Sequence, residues 1–239
     1  MKEQKSKDRL QAWTDGVAEE IAYWREALQD PRSALRERLD PQRPFRDLEA
    51  VQHLAHDGVL RVLDVGSGAC STLGFTHPEC RIDLMPVDAL AIEYAELMRE
   101  LGLRAPVSPI RVDGEHLLEV FPPESFDCAY SINAIDHCYD PLKVLENMLT
   151  LVVPGGAVML NHFEYAGRQE GYEGLHNWDL FLEGERLILA DRDRSRVVDV
   201  GEHFAETAEL LQCRRIAVDD GGSSEFTCSA RLRRRERAS

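Results

Sequence analysis

The sequence is short of positive charge. Its 28 Lys and Arg residues face 43 Asp and Glu, a formal net charge of −15 over 239 residues. Such a surface repels a phosphate backbone and excludes nucleic acid as a general partner. The one basic run, Arg231-Leu232-Arg233-Arg234-Arg235-Glu236-Arg237, reads as a solvated, frayed terminus. Paired cysteines are lacking too. Cys70, Cys80, Cys128, Cys138, Cys213 and Cys228 are widely spaced with no CxxC, against both a zinc motif and a disulfide framework. No apolar run is long enough to span a membrane, and the opening MKEQKSKDRL has no apolar leader. The expectation is a reduced, cytoplasmic enzyme with no membrane partner.

What is present divides in two. Over the first 45 residues, Val17, Ile21, Trp24 and Leu28 recur at helical spacing, the stripe of a helix with one buried face. Asp30-Pro31 reads as an N-cap and first-turn proline that restart a short helix to about Leu39. A further helix is expected from Arg46 to His56, stopped by Gly58.

From Val59 onward strands alternate with helices. Strands are predicted at Val59–Val65, Arg81–Val87, Val107–Val112, Phe126–Ile132 and Ala157–Leu160, with helices at Ala89–Leu101, Glu115–Val120 and Pro141–Leu151. That alternation gives an α/β fold with a mostly parallel sheet. Arg186–Ala190 and Arg196–Val200 read as a hairpin, His203–Gln212 as a helix, and Arg215–Val218 with Phe226–Leu232 as an antiparallel edge turned at Gly221-Gly222.

The first strand runs into VLDVGSGACSTLG, residues 62–74. Gly66 and Gly68 permit a tight turn and close approach of a ligand to the backbone. A dinucleotide would call for a third glycine, where this chain has Ser71, and Asp64 places negative charge beside any phosphate. A cationic ligand without phosphate suits that carboxylate. S-adenosylmethionine, with an ammonium and a sulfonium, is such a ligand. At these residues the chain resembles the class I S-adenosylmethionine-dependent methyltransferases, whose first motif has the form VLDVGSG.

The resemblance continues in order along residues 59–163. Asp88 and Ala89 end the second strand, where an acid accepts the ribose hydroxyls. Asp113, Gly114 and Glu115 follow the third, where a carboxylate accepts the adenine amino group. Asn133 opens the loop after the fourth strand, and Val153-Pro154-Gly155-Gly156 precedes the fifth. The implied fold is the Rossmann-like seven-stranded sheet with a helical N-terminal extension. Residues 1–45 are expected to form that extension, and 46–239 the methyltransferase domain with an acceptor-side insert around 161–200.

Two clusters are candidates for acceptor chemistry. Asp136 and His137 sit on the loop after the fourth strand, which faces the methyl group in this fold. His137 is the preferred base, because imidazole titrates near neutral pH, with Asp136 orienting. After the fifth strand, LNHFEYAGRQEGYEGLHNWD crowds His162, Glu164, Tyr172, His176 and Trp178 into a segment too polar for core. His176 is expected to aim the acceptor and act as the second catalytic histidine. His162, Glu164, Tyr172 and Trp178 are expected to bind the acceptor, with Trp178 available to stack on a sugar.

The run AYWREAL, the LDP segment, VDALAIEY, NAIDHCYDPL and H-F-E…GYEGLHNW are together similar to a bacterial methyltransferase group from polysaccharide and natural-product gene clusters. Members of that group tend to read Asn-Glu-Ala-Glu around 163–166 and Gln before the tryptophan. This chain has Phe163-Glu164-Tyr165-Ala166 and Asn177 instead. The resemblance implies O-methylation of a sugar or other small polar acceptor. N- or C-methylation, and an inactive cofactor-binding partner subunit, stand as alternatives. A nicotinamide enzyme is the alternative in cofactor. No metal is assigned, since no spacing fixes one. The variant is a divalent ion on Asp136, His137, His162, Glu164 or His176. A homodimer stays open.

Helices placed before the first strand can fold over its crevice, and Trp13, Tyr23 and Trp24 are too aromatic for a solvated leader. Deleting residues 1–40 is expected to leave a soluble domain that retains S-adenosylmethionine poorly. Calorimetry giving equal affinity in the truncated protein would assign these helices to packing or dimer contacts.

Overall fold

A computed structural model describes residues 2–46, 51–218 and 225–236, with side chains placed from Thr14 onward. The turn expected at Gly221-Gly222, the side chain of Trp13 and residues 47–50 of the helix expected over 46–56 lie outside the described residues. The chain opens with helix α1 (Lys2–Gln29) and the short α2 (Ala34–Glu37). Then come β1 (Val59–Val65), β2 (Arg81–Asp88), α3 (Ala91–Glu100), β3 (Ile110–Arg111) and α4 (Leu117–Val120). β4 (Phe126–Ile132), α5 (Pro141–Leu151), β5 (Val152–Phe163) and α6 (Ala166–Gln169) follow. The remainder is β6 (Trp178–Glu183), β7 (Arg186–Asp191), β8 (Val197–Asp199), α7 (Val200–His203), β9 (Ala208–Val218) and β10 (Glu225–Arg234).

Seven strands form one sheet in the order β3-β2-β1-β4-β5-β10-β9. β1 lies parallel to β2 and β4, and β5 parallel to β4, while β10 runs antiparallel to both β5 and β9. The expected seven-stranded, mostly parallel class I architecture is present. β1 and β4 are mostly apolar and buried along most of their length because both faces are covered. On one side Leu63, Val65, Ala129 and Val158 pack with Leu145, Met148 and Leu149 of α5. On the other, Leu60, Val62 and Tyr130 pack with Phe45, Val51 and Leu73. Strands β6, β7 and β8 make a separate antiparallel sheet inserted between β5 and β9, including the expected hairpin.

Residues 66–80, after the first strand, are turns, bends and one isolated bridge at Thr76. Residues 43–46 lie along them, with Phe75 N–H donating to Arg43 O and Phe45 N–H to Thr76 O. Gly74, at φ +87°, permits this because a Cβ there would meet Pro44 O. Three local expectations need correction. The described part of the helix expected at 46–56 is one 3-10 turn, Gln52–Leu54. α2 starts later than expected, capped by Ser33 Oγ accepting from Leu35 N, while Asp30 only closes a turn onto Arg32 N. Finally, His203–Gln212 is not a helix. The run favours helix by propensity, but its backbone pairs with β10 from Ala208 onward, and tertiary pairing overrides so weak a preference.

The described arginines of the C-terminal run are not frayed either, while Arg237 lies outside the described residues. Arg233 pairs with Glu209, Arg234 reaches Thr150 O and Glu124, and Arg235 donates to Ala205 O. The N-terminal helix packs on the domain rather than beside it. Trp24 and Leu28 are buried with Leu35, Tyr94, Leu97, Met98 and Leu175, and Arg25 pairs with Glu100 at 2.7 Å.

Candidate functional site

A cavity of about 600 Å³ opens at the carboxyl ends of β1, β2 and β4, roofed by α1. That is the position at which open α/β sheets bind ligands. Of the expected cofactor residues, Asp64, Gly66, Gly68, Asp88, Ala89, Asp113, Gly114, Glu115 and Asn133 all line it. So do the expected catalytic residues Asp136, His137 and His176. The structure therefore brings together side chains from elements more than 100 residues apart in sequence.

Gly66 and Gly68 sit at φ +74° and +66°, a region that side chains other than glycine rarely adopt. The space above Gly68 is closed as well, since a Cβ there would lie 2.1 Å from the Trp24 ring. Asp64 is 1% exposed and its Oδ2 has no hydrogen-bond partner. Burial pushes its carboxyl up to about 6, against weaker opposing pulls from Ser71 and Arg38. Asp88 is also raised to about 6 by burial, although its oxygens accept from Gly68 N and Leu90 N at 2.8 Å each. Neither has an ion-pair partner among the described residues. An orphaned carboxylate beside a glycine turn fits a bound cation, and Asp88 has lone pairs left for hydroxyl donors.

The other half of the cavity is built around Asp136, 3% exposed on the 3-10 turn Ile135–His137. His176 Nδ1 lies 2.7 Å from Asp136 Oδ2, and His137 Nε2 lies 3.5 Å from that oxygen and 3.2 Å from His176 Nδ1. His162 stands behind them, its Nδ1 4.0 Å from Asp136 Oδ1. Burial opposes ionisation of Asp136, but the surrounding imidazoles override it and hold the carboxyl down to about 2. His176 moves the other way. Burial would lower it, yet the hydrogen bond and charge of Asp136 raise it above the ordinary histidine value. His162 is pushed down to about 4 by burial and stays neutral. The ligand atoms of Asp136, His137 and His176 all lie within 4.8 Å of one another, so this trio has the donor set and spacing of a divalent-metal site.

Four expected acceptor residues are corrected in placement, because none lines the cavity. Glu164 accepts from Leu182 N and from Arg215 Nε at 2.6 Å, clamping β5 to β6 and β9. Tyr172 donates its hydroxyl to buried Asp179. Trp178 is 8% exposed, donates to Cys138 O and packs in the core. His162 lies beneath Asp136 rather than on the wall. Glu115 lines the cavity but spends Oε1 on Tyr139 N and Asp140 N, positioning the start of α5. Of the side chains that the N-terminal helices contribute, Tyr23 and Trp24 are the aromatic residues expected to fold over the crevice, whereas Glu19, Glu20 and Arg38 carry no signal in the sequence.

Comparison with known proteins bears on the fold and on the family of the chain's central segment. A family model described as a methyltransferase domain matches residues 63–160. No curated protein matches the chain in sequence. Among solved structures, the cyclase SpnF superposes with a TM-score of 0.53 at 13% identity, covering 95% of this chain and 97% of its own. The N-methyltransferase NodS from Bradyrhizobium japonicum, solved with S-adenosyl-L-homocysteine, gives 0.50 at 15% identity over 91% and 99%. An S-adenosylmethionine-dependent methyltransferase from Methanosarcina mazei gives 0.50 at 13% identity over 78% and 98%. At these identities the likeness is one of fold.

Replacing Asp64 or Asp88 by Ala is expected to weaken S-adenosylmethionine binding by about 1.5–3 kcal/mol each, the worth of a charge-assisted hydrogen bond. Asp64 must be ionised to hold a cation and Asp88 to accept from both ribose hydroxyls, so binding to the intact protein should also weaken as pH falls below about 6. Calorimetry showing unchanged affinity in both variants would remove these residues from the cofactor site. Together, the sheet order and the match of a methyltransferase-domain model to residues 63–160 show the class I, Rossmann-like methyltransferase fold, with S-adenosylmethionine as its cofactor.

Proposed function

We propose that the protein methylates a hydroxyl of a small, uncharged or amine-bearing polar molecule, with Asp136 and His176 acting as the proton acceptor. The observation that carries this is the 2.7 Å contact from His176 Nδ1 to Asp136 Oδ2 on the cavity wall. With the Nδ1 proton directed at Asp136, Nε2 of His176 is the basic nitrogen, and the buried carboxylate stabilises the imidazolium formed when it takes a proton. S-adenosylmethionine supplies an electrophilic methyl group, whose transfer leaves the sulfur with the electron pair of the broken bond. The protein's tasks are to orient the acceptor oxygen and remove its proton.

His137 was the base preferred from sequence. The hydrogen bond to Asp136 favours exchanging the two roles, leaving His137 beside the pair as an acceptor-binding imidazole. The acceptor class follows from charge. Glu19 and Glu20 of α1 and Glu170 and Glu173 after α6 line the cavity, against one Arg and no Lys. Such a wall repels phosphorylated, carboxylated and nucleotide-linked acceptors and accepts polyols or amines. The size agrees: 600 Å³ is within the range of a single ligand pocket, so with the cofactor seated only a small acceptor fits beside it.

A metal-assisted variant is favoured by the convergence of Asp136, His137 and His176. There the three would hold a divalent cation that lowers the acceptor hydroxyl's pKa.

One set of measurements separates these readings. Methyl transfer from labelled S-adenosylmethionine is measured on a panel of neutral polyols, amino sugars and sugar phosphates. Neutral or amine-bearing acceptors should be used and phosphates refused. His176→Ala should lower turnover at saturating acceptor by about 10²–10⁴-fold, and His137→Ala should chiefly raise the acceptor concentration required. Wild-type turnover should rise with pH through a midpoint above 6.5, because His176 accepts a proton only when neutral and its pKa is raised. Near-normal rates in both variants would sink the base assignment. Activity abolished by chelation and restored by a divalent cation would select the metal variant.

A further inference from the structure

Among the described residues, Arg38, the C-cap of α2, is the only Lys or Arg along the cavity's lining. Its guanidinium lies over the Trp24 ring at 5.4 Å from the centroid, and its nearest hydrogen-bond acceptor is Cys70 O at 3.5 Å. No carboxylate pairs with it among the described residues. The guanidinium is largely withdrawn from water, which lowers its pKa, yet an arginine stays charged under such conditions. Withdrawing a charge from water without a partner is costly, so this position calls for an anion.

Arg38 shares the glycine-turn end of the cavity with Asp64. The charges of the two act on one another, but they form no ion pair. Each has kept its own bonding capacity: Asp64 Oδ2 is orphaned, and Arg38 makes one long contact to a carbonyl. A carboxylate and a guanidinium held apart across a turn match the two ends of an α-amino acid. S-adenosylmethionine has a single anionic group, the carboxylate of its methionine end. We propose that Arg38 binds this carboxylate while Asp64 takes the ammonium, so that the N-terminal extension supplies half of an amino-acid clamp that the matched domain, residues 63–160, does not contain. This rests on the cofactor assignment.

Trp24 explains how a helix-terminal arginine is held to this geometry. It closes over Gly68, donates Nε1 to Glu20 Oε1 at 2.8 Å and provides the face on which the guanidinium lies. The planar guanidinium can lie on the ring and still present a fork to both oxygens of a carboxylate, whereas an ammonium keeps the attraction to the ring but not the bidentate geometry. Lysine should therefore replace Arg38 only in part.

The test compares two ligands on three proteins by calorimetry, without any acceptor. The ligands are S-adenosylmethionine and its decarboxylated form, which keeps the ammonium, sulfonium and adenosine but has no carboxylate. Wild type should prefer the intact cofactor. Arg38→Met should bind the intact cofactor about 10- to 100-fold more weakly and the decarboxylated form with little change, so the preference disappears. Arg38→Lys should fall between. Thermal melts of the free variants report whether each is folded. Equal weakening of both ligands in Arg38→Met would make Arg38 a packing residue under Trp24 and overturn the proposal, as would an unchanged preference for the intact cofactor. Failure of wild type to bind either ligand would instead remove the cofactor assignment itself.

Discussion

Two carboxylates buried at the ends of adjacent parallel strands are the constraint on which the site depends. Asp64 and Asp88 are 1% and 9% exposed, with no cation in ion-pair contact among the described residues. Raising each from 3.8 to about 6 corresponds to roughly 3 kcal/mol of unfavourable burial per group at neutral pH. A fold seldom retains such a cost without a ligand that offsets it. The cost arises from position: β1 and β2 are covered on both faces, so whatever ends them is drawn into the crevice. Trp24 completes the enclosure by closing over Gly68.

The same logic governs the opposite half of the cavity with the sign reversed. Asp136 is as buried as Asp64, but imidazoles on three sides keep it ionised. One end of the cavity thus holds an unpartnered carboxylate oxygen, and the other a carboxylate kept ionised by imidazoles. The roof contributes further acids and one guanidinium, so the N-terminal helices complete the site rather than decorate it.

Much of the frame was legible in the sequence where burial is uniform. Val59–Val65, Phe126–Ile132 and Pro141–Leu151 have the boundaries expected of them, because continuous apolar runs and a first-turn proline leave little choice. Elements decided by distant partners were not legible. The segment after Gly68 is irregular because residues 43–46 lie along it, and 208–212 are strand because β10 is beside them. The cofactor side was readable because strand ends fix where Asp64, Asp88 and Asp113 emerge. The acceptor side was not, because polarity within a segment gives no direction. Glu164, Tyr172 and Trp178 turn toward Arg215, Asp179 and Cys138 O, while His176, twelve residues from Glu164, turns to Asp136. Arg38 carries no local signature at all, and only the folded chain brings it to the glycine turn.

A crystal structure of the protein with S-adenosyl-L-homocysteine would test the central claim most directly. The account predicts the amino nitrogen against Asp64, the ribose at Asp88 and the sulfur's open side facing Asp136 and His176. A ligand seated in this cavity with its sulfur turned away from those side chains, or bound elsewhere, would contradict it.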